Sequence, residues 1–392
     1  MDEKREHFSV TDMYNFAIEV LKQCDYPDKS AEATAYALLE ADKRGIFSHG
    51  IAGGTGLEEA VKRVGAASTV NPKAKPEVLK QKYPSIAVIN ANGAPGHITS
   101  MIAVDLVKNI ARKQGLAKVF VNNANHFGAA GVWSSKIAED CDLEGVVTCT
   151  TAAFARPMGD DPKGLDYTKG AGKEARMGTN PLAISIPHKK GILTLDMSLT
   201  KMAVSYCIKA LKANEMLTIP EYIADQNYKS TLDPKDLFGP RDGKIDVKGG
   251  VFPLGSTHSG YKGDALLRMI EVSHSLGGGP IRKVPMSGTD ATRRISHVFQ
   301  AQVVDFLYTK EEALSRVKDL MNDYETRYFG SASRWPGDRS RKAIEYALKE
   351  GLPYSQGQIE TLRRSATHIG LNFDKIVKSM GYKSYPAEIF KK

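Results

Sequence analysis

Apolar positions recur at helical spacing over residues 14–24 and 31–44, which predicts two amphipathic helices. Ser30 is placed to cap the start of the second, and Gly45 to stop it. A third helix is expected over 57–64, after the glycine-rich IFSHGIAGGTG. Pro72, Pro76 and Pro84 mark an extended segment that leads to a strand at 86–90, and a helix over 98–114 follows the GAPGH turn. Residues 116–121 are short, apolar and β-branched, the pattern of a buried strand. Residues 122–125 break it, 126–131 form a small-residue turn, and 132–139 return to helical spacing. A strand that enters a helix through a glycine-containing turn leaves free backbone N–H groups and partial positive charge at the turn. That suits a phosphate or carboxylate. His126 stands at its mouth.

Further along, 145–151 reads as a strand, and 155–175 as a long loop crowded with Gly, Pro, Asp and Lys. RMGTNPLAISIP gives a turn and an alternating strand, 192–197 a strand ending in an acid, and 198–214 a helix. Residues 220–250 are polar and turn-rich with no clear core pattern. An apolar helix is expected at 265–276 after HSGYKGD, a strand at 295–305, and helices at 310–324, 339–350 and 355–369. Strands and helices alternate in the middle while both ends are helical. This predicts a sheet-containing central domain over 119–299, and an N-terminal helical region, 1–118, completed by a C-terminal helical region, 300–392.

The 392 residues exceed one ordinary core, and 42% hydrophobic with 25% charged residues is usual for a globular protein. No apolar run is long enough to span a bilayer, and MDEKREHFSV lacks a secretory apolar core, so a cytoplasmic protein is expected. The four cysteines are scattered without a C-x-x-C pair, which describes neither a metal site nor a disulfide framework. The net charge of +9 is spread along the chain rather than gathered on one element, which argues against nucleic acid and for anionic small molecules.

Ser48-His49 sits in a flexible glycine-rich turn, where a histidine can move a proton near neutral pH if its tautomer is fixed, or be a plain loop residue. Asp196 ends an apolar strand and needs a partner there. It can orient His49 in the manner of a triad, or cap the following helix. Gly178, Thr179 and Asn180 form a turn that can fix backbone or ligand, and Lys262 stands where a helix is expected to start, suited to an anion.

Together these stretches resemble the malate/L-lactate dehydrogenase family, whose members include ureidoglycolate, sulfolactate and diketogulonate oxidoreductases and piperideine-2-carboxylate reductases. The resemblance rests on RGIFSHG, NANHFGAAG, MGTNPLAISIP, LDMS, PLGSTHSGYKG and ISHVFQA, in family order over most of the chain. It implies an α/β fold with a mixed, largely antiparallel sheet, the non-Rossmann nicotinamide-binding fold, in a homodimer. It further implies NAD- or NADP-dependent exchange of hydride with a small 2-oxo or 2-hydroxy acid. By position, Ser48, His49 and Asp196 match the proton-relay set. His126, Phe127, Gly128, Ala129 and Ala130 match the cofactor turn, and Gly178, Thr179, Asn180 and Lys262 match further parts of the cleft. The arginine that family members carry four residues after the histidine is Gly53 here, leaving Arg44 or Arg156 to meet a substrate carboxylate, or a substrate of another kind. A retired relative that binds dinucleotide or acid without turnover, and a cyclic-imine reductase, are the alternatives. A basic cluster at 188–190 suits either the extra phosphate of NADP or an exposed turn.

Overall fold

The computed structural model describes residues 3–62, 70–79, 81–159, 172, 174–241, 244–281, 295–327 and 334–386. The chain begins with β1 (Glu3–Phe8), α1 (Val10–Gln23) and α2 (Asp28–Lys43), a 3-10 turn at Phe47–His49, and α3 (Leu57–Lys62). β2 (Glu77–Val78), β3 (Ile86–Asn90), α4 (Gly96–Gln114), β4 (Leu116–Ala124), α5 (Ala130–Ala138), β5 (Leu143–Cys149), β6 (Leu182–His188) and β7 (Gly191–Met197) follow. Next come α6 (Val204–Ala213), β8 (Ile223–Ala224), β9 (Ser230–Thr231), α7 (Pro234–Leu237), β10 (Phe238–Arg241), β11 (Lys244–Val247), β12 (Gly250–Val251) and α8 (Ser256–Leu276). The last elements are β13 (Ile295–Val303), α9 (Lys310–Arg327), α10 (Asp338–Glu350), β14 (Leu352–Tyr354), α11 (Gln356–His368), α12 (Phe373–Ile376) and β15 (Ser379–Tyr385).

Seven strands form the central sheet in the order β2-β3-β4-β13-β5-β6-β7. Only β3 and β4 are parallel, joined across α4; every other neighbouring pair is antiparallel. This is the mixed, largely antiparallel sheet that the resemblance implied. Alternating directions bring the ends of β4, β5 and β7 and the starts of β13 and β6 to one edge, through the pairs Ile295–Ala124, His297–Cys149, Thr148–Leu182 and Leu182–Met197. That edge gathers the turn after β4, the segment before β6 and Asp196. The core beneath it is built on Trp133, Phe127 and Phe299, each such burial contributing about 1.5–3 kcal/mol.

A second core joins Phe8, Met13, Phe16 and Leu38 to Leu352, Tyr354 and Phe373. A three-stranded sheet, β14-β1-β15, closes it. Residues 118 and 119, the expected division between regions, both lie in β4.

Several sequence expectations are corrected. The second helix starts at Asp28 behind Pro27 (φ −59°), whose ring sets the entry angle. Ser30 therefore lies inside the first turn, buried, with its hydroxyl unpartnered among the described residues. Residues 122–124 do not break β4: the Asn122 and Asn123 carbonyls accept from Ala91 and Gly93, and these tertiary bonds outweigh asparagine's preference for turns. No helix starts at residue 198, because Leu199 and Lys201 bond to Thr179 and Phe252 and keep the chain out of a helix until Val204. Asp196 therefore caps no helix on that side. Residues 220–250 do carry a core, made of Ile223, Leu237 and Phe238 with Phe154, Cys207 and Val251. Its apolar members stand singly between polar turns, so no period shows. The helix expected from 265 is preceded by a helical turn from Ser256 and a kink at Ser259 (φ −133°), so Lys262 lies in the first turn after the kink. Most of the loop 155–175, and the end of the helix expected over 57–64, lie outside the described residues. Cys24, Cys149 and Cys207 are buried and Cys141 is half-buried, and none of the four is in a disulfide.

Candidate active site

The histidine loop is set by the end of α2. Ala31, Ala35, Leu38 and Asp42 share the buried face of that helix. Asp42 sits where a core apolar residue would, and its Oδ2 accepts from the Ile51 N–H (2.8 Å) and the Tyr354 O–H (2.7 Å). Gly45 (φ +71°) ends the helix in a conformation glycine adopts readily, and the chain turns into Phe47–His49. Ser48 Oγ lies 2.8 Å from His49 Nδ1, which leaves Nε2 as the other working atom of the ring. His49 stacks on His126, ring centroids 5.4 Å apart at 19°, so the histidine loop and the turn after β4 meet face to face.

That turn is tightly determined. His126 Nδ1 accepts from the Gly128 N–H at 3.1 Å, and the Phe127 carbonyl accepts from the Trp133 indole at 2.7 Å. Gly128 takes φ +83°, a left-handed value suited to glycine. A side chain there would meet the His97 ring at 3.6 Å and Ala37 at 3.9 Å. Phe127 points into the core, stacked on His297 at 4.3 Å, and Ala129 and Ala130 are buried, so the half-buried His126 is the turn's exposed group.

Asp196 arrives from β7 at the N-terminus of α5. The Gly131 N–H favours its charged form, and a Cβ at Gly131 would lie 2.6 Å from Oδ2. Asp196 thus caps α5, where its charge meets the positive end of the helix. Among the described residues no hydrogen bond or ion pair joins Asp196 to His49. The sheet edge brings the two residues to one region; the direct pair expected from the sequence is not made. Burial pushes the Asp196 carboxyl up to about 6, opposed by Gly131 and by the charge of Arg44. Burial also pushes His49 down to about 4, so its ring is neutral at pH 7. Arg44 itself pairs with Glu40.

Gly178, Thr179 and Asn180 hold the same edge together. Asn180, fully buried at φ +33°, accepts from the Thr151 N–H at 3.1 Å and donates to Glu271 at 2.8 Å. The Thr179 N–H donates to Thr151 Oγ1 at 2.8 Å, and a Cβ at Gly178 would lie 2.2 Å from that oxygen. These bonds tie the start of β6 to α8. Lys262 is exposed on α8, its ammonium 5.8 Å from the Tyr261 ring. Arg156 is buried against Tyr228 at 4.6 Å with its guanidinium on the Gly172, Asp225 and Gln226 carbonyls, and Arg44 carries the cationic charge that reaches Asp196. Gly53 admits no arginine in this loop, since even a Cβ would lie 2.6 Å from the Ser48 carbonyl and 2.7 Å from that of Phe47. The turn at 188–190 lies at the opposite end of β6 and β7 from Asp196, five residues along β7, or about 17 Å.

Sequence reasoning missed Asp42 and His97, although both had a signal: each is a polar residue on a helix face otherwise spaced for the core. His97 is 7% exposed, both ring nitrogens lack partners among the described residues, and burial lowers it to about 4.

The malate/L-lactate dehydrogenase family matches residues 8–363. The L-sulfolactate dehydrogenase of Methanothermobacter thermautotrophicus is 31% identical over 378 residues, 91% of this chain and 95% of that protein. The malate/(S)-sulfolactate dehydrogenase of Methanothermus fervidus is 28% identical over 363 residues, 90% and 95% of the two chains. Among solved structures, malate dehydrogenase from Pyrococcus horikoshii is similar with a TM-score of 0.79 at 20% identity, covering 95% of this chain and 98% of that one. The sulfolactate dehydrogenase from Methanocaldococcus jannaschii gives a TM-score of 0.74 at 25% identity, with 94% and 99% covered. The chain belongs to the malate/L-lactate dehydrogenase family and is a 2-hydroxyacid dehydrogenase.

Proposed function

We propose that the enzyme interconverts a small malate- or lactate-type 2-hydroxy acid and its 2-oxo acid, with His49 as acid/base and NAD or NADP as cofactor. The observation that carries this reading is the stack of His49 on His126, which sets a histidine with one nitrogen engaged against the turn after β4. A dinucleotide fits the chemistry of that turn. The N-terminus of α4 has no side-chain cap and lies beside a turn with a left-handed glycine and two alanines, and such a terminus favours phosphate oxygens. His126, Phe127, Gly128, Ala129 and Ala130 would hold it, with Gly178, Thr179 and Asn180 supporting the far side of the cleft and Lys262 available from α8. When bound, the nicotinamide supplies or accepts the hydride.

The residues of the chain handle the proton. Ser48 fixes the His49 ring, and Nε2 exchanges a proton with the substrate oxygen. A ring lowered to about 4 starts neutral, ready to accept the hydroxyl proton in the oxidative direction. Asp196, the third member of the set, lends its charge to the Gly131 N–H and to Arg44 rather than to His49. Arg44 takes the substrate carboxylate in place of the arginine that Gly53 excludes. The exposed apolar face of α8 formed by Leu266, Met269, Val272 and Leu276 supports a homodimer, and a cytoplasmic location accords with the absence, among the described residues, of a helix able to cross a membrane. The test is a panel of 2-oxo acids and cyclic imino acids with NADH and NADPH, following loss of the reduced cofactor. Turnover of a 2-oxo acid is expected. Cofactor binding without turnover of any compound would favour a retired relative, and turnover confined to imino acids a cyclic-imine reductase.

A further inference from the structure

The His49 loop is fixed from behind by a part of the chain that the sheet edge does not contain. Asp42, 2% exposed, draws the Ile51 N–H and the Tyr354 O–H onto one carboxylate oxygen. The first bond closes the segment from 42 to 51 on itself, and the second ties it to β14. Gly50 is pressed against the same carboxylate: a Cβ there would lie 1.7 Å from Oδ1. On the other side of Ser48-His49, the Phe47 ring meets Tyr354 at 6.4 Å and the Arg5 guanidinium at 5.3 Å. Both residues that flank Ser48-His49 are thus set by Asp42 and by Tyr354, which ends β14 in the terminal sheet, 312 residues after Asp42.

The geometry points to Asp42 and Tyr354 as positioning residues for His49, through which the C-terminal segment sets the acid/base in place. This rests on the assignment of His49 made above. The arrangement is poor as packing. Oδ1 of Asp42 has no partner among the described residues, and a buried carboxyl with an idle oxygen is unfavourable where an apolar pair would fill the same space. What it supplies is a fixed loop. Gly45 and Gly50 give the segment wide backbone freedom, and two short bonds to one carboxylate remove it. Displacing an acid/base by about 1 Å lowers a rate about 100-fold. Neither residue touches the reacting atoms; each acts through the position of the ring.

The test uses the full-length enzyme. Tyr354→Phe removes one O–H and keeps the ring against Phe47 and Phe8. We expect kcat to fall about tenfold or more, with the dissociation constant of the reduced cofactor within about twofold of wild type. In 15N NMR of the cofactor-free protein, the His49 ring, assigned by its loss in His49→Gln, should pass from one tautomer to averaged signals. Asp42→Asn should give the same signature if Tyr354→Phe folds poorly, and the double variant should be no worse than the worse single, because the bonds are shared. Unchanged His49 signals in both variants, or an unchanged kcat, overturn the proposal. The NMR readout needs no substrate, so it still decides if the wild type turns over no 2-oxo acid, an outcome that would sink the functional reading instead.

Discussion

Gly50→Ala gives a sharp test of the loop geometry. The backbone at Gly50 (φ −84°, ψ −172°) is extended and open to any residue, so nothing in its dihedrals requires glycine. Space does. The new methyl carbon would lie 1.7 Å from Oδ1 of Asp42 and 2.3 Å from its Cγ, well inside contact distance, so the carboxylate must move. Moving it releases the Ile51 N–H and the Tyr354 O–H, both in the interior. Leaving a buried polar group unsatisfied costs about 1–3 kcal/mol, so two such groups cost about 2–4 kcal/mol after partial recovery through relief of the buried carboxyl. We expect a fall in Tm of several degrees and loss of most of kcat. Gly54→Ala is the control: a Cβ there meets nothing within 4 Å, and its stability should match or exceed wild type by up to about 1 kcal/mol. Urea unfolding of both variants, alongside kcat, is the assay. A Gly50→Ala enzyme as stable and active as Gly54→Ala would refute the argument that Asp42 is seated on residue 50.

Three further outcomes follow from the same structure. His97→Leu removes two unpartnered ring nitrogens while nearly keeping the volume, and should raise stability at pH 7 by about 1 kcal/mol or more in urea unfolding. Stability should also vary with pH with a definite sign. His49, His97 and His297 are lowered to about 4, 4 and 3, so the unfolded chain binds more protons below 6.5 and stability is lost as pH falls from there toward 4. Asp42 and Asp196, raised to about 7 and 6, act oppositely and lose stability as pH rises through those values, so the urea midpoint should be greatest near pH 6.5 and a profile rising steadily to pH 9 would contradict these assignments. Arg44→Gln should raise KM for the acid about 10- to 100-fold, the worth of one charge-assisted carboxylate contact, with KM for the cofactor unchanged. An unchanged KM for the acid would remove Arg44 from that role.

Much of the sheet could be read from the chain because its strands are apolar runs closed by turns: residues 86–90 form β3 as expected, and the helix expected over 98–114 differs only at its start. The readings failed where long-range bonds override local preference. Asparagines continue β4 because Ala91 and Gly93 bond to them, and residues 199–201 stay out of a helix because Thr179 and Phe252 hold them. At the site, the approach of His49 to His126 rests on stacking between residues far apart in sequence, and no spacing encodes it. The presence of Asp42 on an apolar helix face was visible, but its purpose appears only when Ile51, Gly50 and Tyr354 are seen around it.

The most direct measurement is kcat for His49→Gln on whichever 2-oxo acid the wild type reduces, with circular dichroism and cofactor affinity checked beside it. The account predicts a loss of about 100-fold or more with fold and cofactor binding retained. Turnover within a few-fold of wild type would contradict His49 as the group that moves the proton.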